Sequence, residues 1–176
     1  GNTPRRWSAH TACARTCCSN KMKPYVVITG ATGAIGQEIA LGLAKEGHNV
    51  VLACRNEEKA TSLIAKIKEA APSVDARFLP LDLTDEKSVL AAANTLKDLR
   101  VSALINNAGV MNRRYRRLPS GVEMTIAVNY LHTALFTELL LPHLDKGGVV
   151  VFTTSLTRFL WKHDQGKFSD HILHEN

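Results

Sequence analysis

The sequence lacks a cysteine framework. Cys13, Cys17 and Cys18 fall within the first 23 residues, and Cys54 alone lies in the body of the chain. That distribution excludes a small disulfide-stapled scaffold and suits a reducing compartment, so a cytoplasmic protein is expected. His10 and its neighbouring cysteines match no standard zinc spacing, and no metal is expected. Long hydrophobic runs are also missing. The run 139–141 and its neighbours fall far short of the roughly 20 apolar residues that a spanning helix needs, and no signal-peptide core is visible. Acidic residues are absent from positions 1–23, which carry Arg5, Arg6, Arg15, Lys21 and Lys23. Those five account for most of the net charge of +6, because residues 24–176 hold 17 basic against 16 acidic side chains. The basic character belongs to one end of the chain and not to a nucleic-acid-binding face.

What is present describes one ordinary globular domain: 45% apolar and 22% charged residues in a chain of 176. Three readings of residues 1–23 remain open. They are upstream or cloning-derived sequence before a natural start at Met22, an Arg- and Ser-rich targeting peptide for mitochondria or another organelle, or an arm of the fold. Residues 24–156 form the folded domain, and 157–176 a loop or tail.

From Tyr25 the chain alternates short apolar runs with helical periodicity. Strands are predicted at 25–29, 49–54, 77–81, 101–105 and 148–154. Ile35, Ile39 and Leu43 predict the inner face of a first helix, with Gly47 ending it. Asn56 is placed to cap a second helix, whose apolar face is Leu63, Ile64 and Ile67. Thr84 is placed to cap a third, with Val89, Ala92, Leu96 and Leu99 inward. Ser120-x-x-Glu123 has the spacing of a capping box. It predicts a long helix to about residue 141, apolar nearly all round and therefore buried on more than one side. Strands alternating with helices imply an α/β fold, a doubly wound parallel sheet between two helical layers. The basic run Arg113-Arg114-Tyr115-Arg116-Arg117 reads as a solvated loop near the mouth of a site.

The first strand runs into Thr29-Gly30-Ala31-Thr32-Gly33-Ala34-Ile35-Gly36, which opens the first helix. In that position Gly30 permits a tight turn, Gly33 lets the backbone approach a pyrophosphate, and Gly36 lets the helix pack closely. The N–H groups at the helix start then face the phosphates. The second strand ends Ala53-Cys54-Arg55-Asn56. A cation stands where an acidic residue would hold the ribose of NAD, so Arg55 favours NADP(H).

These residues and those that follow resemble the short-chain dehydrogenase/reductase family. Asp82-Leu83 resembles its adenine contact, Asn106-Asn107-Ala108-Gly109 its Asn-Asn-Ala-Gly motif, Asn129 in Val128-Asn129-Tyr130 its catalytic asparagine, and Ser155 its catalytic serine. The stretch 106–137 is most similar to the retinol dehydrogenase-like branch. Two departures stand out. Ala34 occupies the middle-glycine position, and His132 stands where that branch has glycine. The resemblance implies a cofactor site built from Thr29, Gly30, Thr32, Gly33, Ala34, Ile35 and Gly36 of the turn. Arg55, Asn56, Asp82, Leu83, Asn107, Ala108, Gly109 and Val128 complete it.

The implied activity is an NADP(H)-dependent interconversion of a small-molecule carbonyl and alcohol. Ser155 would orient the substrate oxygen, and Asn129 would hold a water in the proton path. Without the resemblance, these two read as a strand-end serine and a helix asparagine bonded to backbone. The family's general acid, the tyrosine of Tyr-x-x-x-Lys, has no counterpart after Ser155 in these 176 residues. The natural protein is therefore expected to continue past Asn176. The alternative is a non-catalytic dinucleotide-binding homologue, a sensor or assembly subunit with a partner over the fifth strand. The apolar helix before that strand would suit a homo-oligomer.

Overall fold

The structure is a computed structural model that describes residues 23–112 and 114–154. Strand β1 (Tyr25–Thr29) is followed by helix α1 (Ala34–Lys45), β2 (Asn49–Cys54), α2 (Glu57–Ala70), β3 (Ala76–Pro80), α3 (Glu86–Leu96) and β4 (Val101–Asn106). A continuous helical stretch comes next. It consists of α4 (Met124–Ile126), a π-helical turn (Ala127–Leu131), α5 (His132–Leu140) and a short 3-10 turn (Leu141–His143), and it leads into β5 (Leu144–Phe152). The sheet is parallel, in the order β3-β2-β1-β4-β5. The expected architecture is thus present.

Strand alternation divides the core in two. Tyr25 and Val27 of β1, with Val51 and Ala53 of β2, pack against α3 and α5 through Val89, Leu96, Phe136 and Leu140. Val26, Ile28, Val50 and Leu52 face the other way, onto Ala40, Ala44, Leu63 and Ile67 of α1 and α2. Both central strands are buried along their whole length, which is why they read as continuous apolar runs. β3 lies at one edge, where Pro80 costs no interior ladder bond.

Several local expectations are corrected. The inner face of α1 is the small-residue row Gly36, Ala40 and Ala44. Ile39 and Leu43 are only partly buried, and Ile35 is 62% exposed. The helix sits so close to the sheet that large side chains are pushed to its flanks. Gly47 does end it, at φ +84°. The Gly47 and His48 N–H groups bond to the Ala44 and Leu43 carbonyls, a Schellman arrangement. β3 begins and ends one residue before the predicted 77–81. Asn56 caps α2 as expected, accepting from Lys59 N at 2.8 Å. The cap of α3 is Asp85 and not Thr84. The Thr84 N–H and hydroxyl are instead drawn onto Asp82 Oδ1 at 2.9 and 2.8 Å.

The capping box does not form. Ser120 lies in a turn closed by Gly121 N–H to the Leu118 carbonyl, with Gly121 at φ +86°. Glu123 is itself the cap, accepting from Ile126 N at 2.9 Å. The stretch 124–143 is long and apolar enough to cross a membrane by length and composition alone, with mean hydropathy 1.2. One side of it, through Val128, Thr133, Phe136 and Leu140, is buried, whereas Tyr130, Leu131 and Leu141 are exposed. It is therefore not buried on several sides. β5 starts four residues before the predicted strand and ends two earlier. Among the described residues it is an edge, with Val149, Val151 and Phe152 exposed.

Candidate functional site

The sheet order reverses between β1 and β4, and the strand ends there open into a cleft of about 510 Å³. Ligands of open parallel sheets bind at such a reversal. One wall is the glycine turn. Gly30 has φ +64°, and a Cβ on it would lie 2.8 Å from Ala108 Cα. A Cβ on Gly36 would lie 2.3 Å from the Gly30 carbonyl oxygen and 2.8 Å from Ala31 Cα. These two glycines let the β1 turn, the start of α1 and the Asn-Asn-Ala-Gly segment nest together. Their third partner, Gly33, is looser, at 3.3 Å from the same carbonyl, and begins the helix with its backbone exposed to the cleft.

Thr29 locks this nest from beneath. It is 1% exposed, and its Oγ1 accepts from Asn107 N and Ala108 N, both at 3.0 Å. Asn107 Nδ2 returns bonds to the Thr29 and Gly30 carbonyls at 3.2 and 3.3 Å. Of the predicted cofactor residues, Thr29 is thus the one that does not line the cleft; it holds those that do. Gly30, Thr32, Gly33, Ala34, Ile35 and Gly36 line it on one side, and Asn107, Ala108, Gly109 and Val128 on another. The exposed Ile35 faces this space.

Arg55 and Asn56 at the end of β2, and Asp82 and Leu83 after β3, form the far end. Arg55 is exposed and has no carboxylate partner among the described residues. The Asn56 side chain is committed to capping α2. Asp82 holds its own loop, with Oδ1 on Thr84 and its N–H donating to Ser88 Oγ at 2.9 Å. Lys59 lines the cleft as well. Sequence reading passed over it, although the signal was present: the Asn56 cap places Lys59 in the first turn of α2, four residues from Arg55. Cys54 also lines the cleft, buried and free. Burial pushes its thiol above the ordinary value, outweighing the contacts with Thr32 and the Asn56 backbone. It is consequently a thiol and not a thiolate nucleophile at neutral pH.

Asn129 sits in the π-helical turn, one residue beyond the cleft-lining Val128. Its side chain is spent on the backbone: Oδ1 accepts from Val110 N and Nδ2 donates to the Val110 carbonyl, each at 2.8 Å. This clamp spans 19 residues and fixes Gly109 and Val110 at the cleft wall. The amide is therefore a brace, with one acceptor site on Oδ1 and one N–H on Nδ2 left over. Ser155 lies outside the described residues, as do residues 1–22 and 156–176. No group of three or more His, Cys, Asp or Glu side chains able to hold a metal occurs among the described residues.

Comparison with known proteins agrees with this geometry. The family model described as short chain dehydrogenase matches residues 24–162. An uncharacterized oxidoreductase of Schizosaccharomyces pombe is 44% identical over 122 residues, covering 68% of this chain and 36% of that protein. Human retinol dehydrogenase 11 is 38% identical over 150 residues, covering 82% of this chain and 47% of its own length. The chain thus spans less than half the length of these two relatives. Among solved structures, a short-chain dehydrogenase from Sphingobium yanoikuyae in complex with NADPH superposes with a TM-score of 0.69 at 27% identity, over 80% of this chain and 56% of that one. With the glycine nest, the Asn-Asn-Ala-Gly wall and the sheet reversal all in their places, the chain belongs to the short-chain dehydrogenase family, on the side where the retinol dehydrogenases lie.

Proposed function

We propose that this protein is an NADP(H)-dependent oxidoreductase that interconverts a small-molecule carbonyl and alcohol, and that the cleft at the β1–β4 reversal is its cofactor site. The observation that carries the reading is the pairing, in one cleft, of a tightly nested glycine turn with two cations. Gly30 and Gly36 leave no room for a Cβ, which brings the turn backbone and the N-terminus of α1 to the cleft, suited to a pyrophosphate. Arg55 and Lys59 line the same cleft and suit the extra phosphate of NADP(H). Asp82 and Leu83, after the neighbouring strand, line the same end and suit the adenine.

When bound, the nicotinamide supplies or accepts the hydride. The residues of this chain hold the cofactor site and orient the substrate; the proton donor of the resemblance, the tyrosine of Tyr-x-x-x-Lys, has no counterpart among these 176 residues. Thr29 and Asn107 hold the cradle rigid, Asn129 braces Gly109 and Val110, and Ser155 orients the substrate oxygen. The substrate is a small carbonyl or alcohol compound, with no nucleic acid partner. The cytoplasm remains the proposed location. The relatives named retinol dehydrogenase favour an apolar aldehyde or alcohol as substrate.

The test is NADPH oxidation by the full chain against a panel of aldehydes and ketones, with Arg55→Asp alongside. Charge-assisted bonds are worth about 1.5–3 kcal/mol, so the variant should bind NADPH about ten- to a hundredfold more weakly and NADH nearly unchanged. Equal loss for both cofactors would remove the Arg55 assignment. Failure to bind NADPH, or absence of turnover in a protein that also carries the Tyr-x-x-x-Lys segment, would remove the reductase reading.

A further inference from the structure

His132 stands where the retinol dehydrogenase-like branch that the sequence resembles has glycine, and the structure gives it a definite partner. It is the first residue of α5, immediately after the π-helical turn that carries Val128 and Asn129. Its Nδ1 lies 2.7 Å from the Leu83 carbonyl oxygen, 49 residues earlier in the chain. A carbonyl only accepts, so Nδ1 carries the proton and donates. Leu83 lines the far end of the cleft beside Asp82. That loop is also held by the Asp82–Thr84 and Asp82–Ser88 bonds, by the Leu81 N–H on the Cys54 carbonyl and by the burial of the Leu81 and Leu83 side chains in the core. The His132 bond joins it to the helix that bears the asparagine.

We propose that His132 is a positioning residue for the adenine half of the cofactor site. By fixing the Leu83 carbonyl it sets the orientation of the Leu83–Thr84 peptide, and with it the edge that Asp82 and Leu83 present to the purine. Glycine at this position would leave that carbonyl to solvent. The core would still hold the loop in place through Leu81 and Leu83, but the orientation of that one peptide would have to be fixed by the ligand, at a cost in affinity. The inference rests on the cofactor reading above and specifies which half of the dinucleotide His132 serves.

The experiment measures dissociation constants of NADPH and of adenosine 2′,5′-bisphosphate, which has the adenine half and no nicotinamide. The proteins are the full chain, His132→Phe and His132→Gln. Phe keeps a ring and removes the donor. A net hydrogen bond contributes roughly a three- to tenfold change in an equilibrium constant. His132→Phe should therefore weaken both ligands by the same factor, about three to ten. Gln, which still offers an N–H, should recover at least half of the loss. Unchanged affinity of His132→Phe for adenosine 2′,5′-bisphosphate overturns the proposal, whatever happens to NADPH.

A second readout needs no variant. In the unsubstituted chain the ¹⁵N resonance of His132 Nδ1 should shift on saturation with adenosine 2′,5′-bisphosphate. A resonance that stays fixed at saturation overturns the proposal even if His132→Phe does not fold. Failure of the unsubstituted chain to bind either ligand is a separate result: it removes the cofactor reading, and this inference with it.

Discussion

A methyl group at Gly36 would meet two backbone atoms, the Gly30 oxygen at 2.3 Å and Ala31 Cα at 2.8 Å, and neither can swing aside. Gly42 lies in the same helix with nothing within 4 Å of a Cβ. Gly36→Ala should therefore cost about 1–3 kcal/mol through overpacking and abolish dinucleotide binding. Gly42→Ala should be neutral or stabilise by up to about 1 kcal/mol. Urea unfolding of the two variants, with an NADPH titration of each, checks both halves of that contrast. The positions of these glycines could be read from the sequence, because the spacing of a strand-to-helix turn already says where backbones must touch. The role of Thr29 was only half legible. It belongs to the motif, yet it works from below, through a hydroxyl shared between two N–H groups 78 and 79 residues away. That Asn129 bonds to backbone is one reading of the sequence, but its partner Val110 and the His132 bond to Leu83 were not legible, since nothing local records which distant carbonyl a side chain will find. Lys59 was missed for another reason: its reach depends on where the Asn56 cap places the first turn of α2.

At the level of whole elements, Glu123 shows the limit of spacing signatures. Ser120-x-x-Glu123 has the spacing of a capping box, but the left-handed Gly121 turns the chain before the helix begins and leaves Ser120 in the turn. Burial alone would raise the Glu123 carboxyl. The N–H groups of Thr125 and Ile126 and the Thr125 hydroxyl prevail and hold it below the usual carboxylate range. Glu123→Ala should cost about 1 kcal/mol, the usual value of a lost cap. Ser120→Ala should stay within about 0.5 kcal/mol. Thermal unfolding separates the two, and a larger loss at Ser120 would restore the capping box. The long helix was misjudged for a related reason. Its composition is apolar on all sides, but Tyr130, Leu131 and Leu141 remain exposed, and composition does not say which neighbours a helix has. Strands β1 and β2 were read to the residue because burial on both faces leaves an unbroken apolar run. β5, with one face exposed and glycines at 147 and 148, blurs at its start.

Across the whole molecule, two cores share one sheet, and the cleft proposed for the cofactor opens at one end of it. The opposite end carries a polar latch. The Tyr25 hydroxyl donates to Asp75, Arg77 pairs with Asp75 at 2.8 Å, and its guanidinium lies over the Tyr25 ring at 4.8 Å. Asn49 joins the same corner, accepting from Asp75 N at 3.0 Å. Burial would raise the Asp75 carboxyl, but the Tyr25 hydroxyl and the Arg77 guanidinium outweigh it and leave it below the ordinary value. A depressed folded value means that the stabilisation is complete above the ordinary carboxylate pKa, near 3.9. It is lost as pH falls through the lowered value. Stability should thus decline below about pH 4, and Asp75→Asn should flatten that part of the profile in urea unfolding from pH 5 to 3. At the centre of the α3–α5 core, Phe136 is fully buried, and Phe136→Ala should cost about 3–5 kcal/mol. These tests address the scaffold. The central claim is that the cleft holds a phosphorylated dinucleotide, and calorimetric titration of the full chain with NADPH and with NADH at one salt concentration tests it most directly. Saturable binding at one site, tighter for NADPH by tenfold or more, is the predicted result. No binding of either, or a preference for NADH, would contradict it.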